Sequence, residues 1–106
     1  MGKRAYGWYD FSQVRRIAHR YNFVQIPLKS HVASHQLSFK HRNMRSSGGS
    51  ESYSGPVRID VYFTTGTVNV CLRKNGRHSV KVQKRVIQEK LTEIFSDANR
   101  QFLIEN

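Results

Sequence analysis

Cysteine, proline and acidic side chains are scarce in this 106-residue chain: one cysteine, two prolines and seven Asp+Glu. A lone cysteine, Cys71, excludes an internal disulfide and any cysteine-rich zinc site. It fits a reducing compartment, so an intracellular location (cytoplasm, nucleus or organelle matrix) is expected. No apolar run exceeds a few residues, so neither a transmembrane helix, a signal-peptide core nor a membrane partner is expected. No Gly-rich phosphate loop is present, because Gly48-Gly49 and Thr65-Gly66 fit no nucleotide fingerprint. The clustered carboxylates of a metal-dependent nuclease are also missing. His31, His35 and His41 are close in sequence, but no cysteine accompanies them and no acid lies between Asp10 and Glu51. A zinc site needs three or four protein ligands, so no metal and no cofactor is expected. No catalytic residues are assigned, and the chain is read as a binding protein and not an enzyme.

What is abundant is positive charge. There are 18 Lys+Arg and a net charge of +11. Residues 1–50 carry nine Lys/Arg against Asp10 alone, and residues 86–106 carry two against four acids. Eleven of the eighteen are Arg, whose planar fork matches phosphate and stacks on bases. A small basic chain with charge distributed this unevenly points to a polyanion, and nucleic acid is the commonest.

The length suits one domain, 1–106, with residues 43–56 (NMRSSGGSESYSGP) as a flexible loop within it. Residues 10–21 read as a helix. Asp10 can cap it with Gln13 three residues on, and Phe11, Val14, Ile17, Ala18 and Tyr21 share one face. Arg15, Arg16, His19 and Arg20 point elsewhere. Residues 23–42 hold one or two weak strands, with Pro27 confining the first to an edge. Alternation over 57–64, 67–74 and 78–83 marks three strong antiparallel strands. A two-residue Thr65-Gly66 turn would pair Phe63 with Val68 and Val61 with Val70. A three-residue loop, Asn75-Gly76-Arg77, would pair Leu72 with Val80 and Val70 with Val82, keeping every aliphatic on one face. Residues 85–98 read as a second helix. Ile87, Leu91, Ile94, Phe95 and Ala98 form its core stripe, and Asn99 is a candidate stop. Phe102 to Ile104 form an apolar tail. The expected fold is therefore α+β, a two-layer sandwich with two helices covering one sheet face.

Two candidate surfaces follow. The uncovered sheet face should show Arg58, Asp60, Tyr62 and Thr64, then Asn69, Cys71 and Arg73, then Ser79, Lys81 and Gln83. It is a cationic surface with one stacking ring, the mix used to bind single strands. The helix-and-loop side offers Arg15, Arg16, His19 and Arg20, then Lys40, Arg42 and Arg45, then Lys81, Lys84 and Arg85 at the start of the second helix. Arg77 adds a cation at the hairpin. Helix, antiparallel meander, then helix led by Lys81, Lys84 and Arg85 resembles the double-stranded RNA-binding domain. That resemblance implies phosphate contacts from the first helix, from a loop after the first strand, and from the start of the second helix.

The expected function is binding of RNA, with DNA second, chiefly through phosphates. The alternative is a protein-interaction adaptor in a larger assembly. It would meet its partner through Glu89, Glu93 and Asp97 on the second helix or through the apolar tail. A small nuclease is the third reading.

Overall fold

The computed structural model describes residues 8–44 and 53–106. Arg45 and most of the 43–56 loop lie outside them. The elements run α1 (Phe11–Arg20), β1 (Phe23–Ile26), α2 (Ser30–Ala33), β2 (Gln36–His41), β3 (Gly55–Tyr62), β4 (Thr67–Lys74), β5 (Arg77–Gln83) and α3 (Gln88–Glu105). The strands form one antiparallel sheet in the order β1-β2-β3-β4-β5. The chain is therefore α+β, with both weak strands real and a single added turn of helix, α2, between them.

Alternation places Phe23, Phe39, Ile59, Val61, Val68 and Val70 on one face, all buried. Val14 and Ala18 of α1 and Leu91, Ile94, Phe95 and Ala98 of α3 close over them. Phe95 sits at the centre, edge-on to Phe23 and Phe39 at centroid distances of 5.4 and 5.5 Å. The Asp10 carboxylate accepts the Gln13 N–H at 3.2 Å, so the expected cap forms.

Three expectations are corrected. At the first turn, Val61 pairs with Val68 and Ile59 with Val70, a slip of two residues from the expected register. Phe63 leaves the ladder to pack its ring 4.6 Å from that of Phe11, so the turn spans Phe63 to Gly66. A slip of two preserves which face each side chain takes. At the second turn the loop is two residues, Asn75-Gly76, with both φ angles positive (53 and 77°). That is the hairpin turn Asn-Gly specifies, and it overrides aliphatic pairing. Leu72 therefore pairs with Ser79, and Val80 and Val82 stand on the uncovered face, 52% and 53% exposed. Ser79, Lys81 and Gln83 face the helix side instead of the uncovered one.

The second helix is the third correction. Arg85 takes φ 54° and breaks the chain direction, so α3 begins only at Gln88. Lys84 and Arg85 precede the helix, and Ile87 is exposed. Val86 is the anchor: its N–H donates to the Gly66 carbonyl at 2.9 Å, and its carbonyl accepts the buried Tyr9 hydroxyl at 2.7 Å. Asn99 does not stop α3, which continues through the Phe102–Ile104 tail and buries Phe102.

The Asn99 side chain has other work. Its Oδ1 faces His41 Nε2 at 2.7 Å and accepts from Asn22 Nδ2 at 3.2 Å. The Asn43 N–H donates to His41 Nδ1 at 3.2 Å, which leaves Nε2–H as donor and the imidazole neutral. The ring is fully buried and stacks 4.0 Å from that of Phe102. Burial pushes the His41 pKa below the ordinary histidine value. The Arg42 charge acts in the same direction and the Asn99 hydrogen bond opposes it.

Two predictions follow from this architecture. Gly66 has φ 74°, and an added Cβ would lie 2.6 Å from the Trp8 ring, whereas Gly76 has φ 77° and open space around it. Gly66→Ala should cost about 2–5 kcal/mol through strain and overpacking together, and Gly76→Ala only about 1–2 kcal/mol. Urea unfolding measures both, and equal losses would contradict the packing. A folded-state pKa below the unfolded one means that the unfolded chain binds the proton more readily. The stability His41 confers should be complete above about pH 6.5 and be lost as pH falls through the lower folded-state value. His41→Gln should remove that component, and an unchanged pH profile would contradict it.

Candidate nucleic-acid interface

The face of the sheet away from α1 and α3 is built by the opposite set of alternating residues. Gln36, Ser38 and Lys40 come from β2, Arg58, Asp60 and Tyr62 from β3, Thr67, Asn69, Cys71 and Arg73 from β4, and His78, Val80 and Val82 from β5. Asp60 is its hub. The carboxylate is nearly buried, which costs energy unless its lone pairs are satisfied. Ser38 Oγ donates to Oδ1 at 2.6 Å, Arg58 Nε donates to the same oxygen at 2.8 Å, and the Cys71 thiol meets Oδ2 at 3.8 Å. Gln36 Nε2 in turn donates to Ser38 Oγ at 2.7 Å. The network holds the half-exposed Arg58 guanidinium across the middle of the face.

Tyr62 is flanked by a ring that the sequence reading missed. His35 lies nearly parallel to it, 12° between planes and 6.4 Å between centroids. The Tyr62 pKa is raised by burial first, then by the negative charges of Asp60 and Cys71. Arg58 and a side-chain hydrogen bond from Asn69 oppose this. Across the β4–β5 ladder, Arg73 pairs with His78 at 3.2 Å, and Lys74, Arg77 and His78 surround a shallow hollow at the hairpin tip. His35, Lys74 and His78 were not assigned to nucleic-acid binding from sequence. Only the strand register, which alternation over two hairpins left two ways, would have placed His78 beside Arg73.

The structure divides the second expected surface. Lys40 joins Arg58, Tyr62 and Arg73 on the uncovered face, whereas α1 packs on the opposite one. Arg15 Nε donates to Gln25 Oε1 at 3.0 Å. Arg16 and Arg20 line a hollow between α1 and α3 together with Gln13 and Glu89. His19 and Arg20 end α1, and the Arg42 N–H donates to the Asn22 carbonyl beside them at 2.7 Å, making a cationic corner. Lys81 lines a separate hollow with Glu93 and Asp97, and Lys84 and Arg85 lie on the connection to α3. The acidic row is thus shared between two hollows, and Asp97 is paired with Arg100 at 2.9 Å.

Arg58–Asp60 and Arg100–Asp97 are the two ion pairs among the described residues. Also among them, no three His, Cys, Asp or Glu side chains gather where a metal could be held, and no helix is long and apolar enough to cross a membrane. The order of elements departs from the helix, meander, helix on which the resemblance to the double-stranded RNA-binding domain rests, since β1, α2 and β2 stand between α1 and the β3–β5 meander. The long loop follows β2 rather than the first strand, and Lys84 and Arg85 precede α3. No family model, no curated protein and no solved structure matches the chain.

Cys71 offers a test of the hub. Burial chiefly, then the Asp60 charge, push its thiol pKa up, with the Arg58 charge opposing. At neutral pH it should alkylate with iodoacetamide more slowly than glutathione does, and Asp60→Asn should speed the reaction. A wild-type rate at or above that of glutathione would contradict the arrangement.

Proposed function

We propose that this protein binds nucleic acid without catalysis, with RNA favoured over DNA. The observation that carries the reading is its uncompensated charge. Eighteen Lys+Arg face seven acids, a net charge of +11. Cations in excess over carboxylates on a folded surface attract phosphates and release counterions when they meet them.

Two regions share the contact. Arg15, Arg16, His19, Arg20 and Arg42 grip the backbone from the α1 side, with Lys84 and Arg85 nearer the β5 edge. On the uncovered sheet face Lys40, Arg58 and Arg73 take phosphates, and Tyr62 with His35 offers flat surfaces for stacking. Stacking needs bases free of a duplex, which favours single strands and irregular RNA loops. Arg-rich α+β surfaces with loops suit such shapes better than they suit uniform B-form DNA.

Fluorescence anisotropy with labelled single- and double-stranded RNA and DNA tests this. Single-stranded RNA should bind most tightly. Arg15→Ala/Arg16→Ala/Arg20→Ala should weaken binding to every sequence alike. Tyr62→Ala should cost about 1–3 kcal/mol on single strands and leave duplex binding unchanged. Wild-type affinity in both variants would overturn the assigned contacts, and indifference to all four ligands would overturn the function.

A further inference from the structure

The two edges of the sheet are unlike. β1 has four residues, follows α1 directly and runs into Pro27. β5 has seven, pairs with β4 at every position from Arg77 to Gln83 without a bulge, and contains no proline. α3 packs against β3, and a hollow of about 280 Å³ floored by Val70, Leu72 and Ile94 separates it from β5. β5 is exposed from Arg77 to Val82, and α3 faces its Lys81 and Gln83 only across that hollow. Sheet proteins normally blunt such an edge, because its outward N–H and C=O groups are a template for another strand.

The two faces of this edge differ in chemistry. Val80 and Val82 stand half-exposed on one side, and Arg77 and Lys81 stand on the other. Glu93 and Asp97 of α3 share the hollow with Lys81, but Asp97 is paired with Arg100, and Lys84 and Arg85 follow β5, so cations outnumber acids along this edge. We propose that β5 takes an extended segment of a partner protein as a sixth strand, one whose side chains alternate aliphatic and acidic. Pleating would lay the aliphatic set against Val80 and Val82 and bring the carboxylates beside Arg77 and Lys81, while the main chain hydrogen-bonds to the edge. A second copy of this chain is a poorer occupant, since it would bring one positively charged strand against another. A nucleic-acid strand would use the cations but leave both valines and the edge amides unmatched.

The probe is a capped, fluorescent heptapeptide of alternating Val and Glu. Its control has the same composition with the glutamates clustered. At physiological salt the alternating peptide should bind about tenfold more tightly than the control. Hydrogen exchange should show new protection within Arg77–Gln83 and none in β1. Val80→Ser/Val82→Ser and, separately, Lys81→Glu should bring the alternating peptide down to the affinity of the control. All of these residues are exposed, so unchanged thermal melting should accompany the loss. Equal affinity for the two peptides, binding of neither, or protection spread over α1 would overturn the proposal. Loss of RNA binding in Val80→Ser/Val82→Ser would overturn it as well, by giving the edge to nucleic acid. Retained RNA binding in the same variant, with peptide binding gone, would separate the two activities.

Discussion

Burial of one face of a five-stranded sheet under α1 and α3 is the interaction on which the rest depends. Ile59, Val61, Val68, Leu91 and Phe95 are each wholly removed from water. Each such side chain contributes about 1.5–3 kcal/mol relative to exposure. Since strand residues alternate, filling that face with aliphatics and aromatics assigns the other to polar and charged residues. The core contains no Lys or Arg. Every cation of the described segments is therefore carried at or near the surface, on a body too small to spread them thinly.

The uncovered face resolves a conflict that this one-sidedness creates. A carboxylate at the middle of β3 would be costly if nearly buried alone, so Ser38, Arg58 and Cys71 converge on Asp60. The effect is to fix the Arg58 guanidinium and to quiet the thiol. Around that fixed centre, Lys40, Arg73, Tyr62 and His35 form the surface proposed to meet nucleic acid. The β5 edge, with its aliphatic and cationic sides, is a separate feature of the same sheet, suited to a protein strand.

Much of this was legible from residue order. Asp10 and the apolar stripe Val14–Ala18 placed α1 to within a residue, because a cap and a helical period are local signals. Alternation identified β3, β4 and β5 and put Arg58, Tyr62 and Arg73 on one face. What failed was decided by contacts distant in sequence or by a choice between two local rules. Phe63 left its strand because Phe11 offered it a partner. Asn75-Gly76 formed its preferred tight turn although this exposed two valines. Val86, held by Gly66 and Tyr9, delayed the start of α3. Asn99, which reads as a helix stop, serves instead to hold His41 and Asn22. No pattern within α3 could announce that role, since both partners come from the other end of the chain.

The claim that an uncompensated cationic surface binds phosphates is tested most directly by measuring affinity for single-stranded RNA across a series of salt concentrations. Log affinity should fall linearly with log salt, with a slope of about −3 or steeper, as expected when four or more phosphates are neutralised. A flat line, or no association even in dilute buffer, would contradict it.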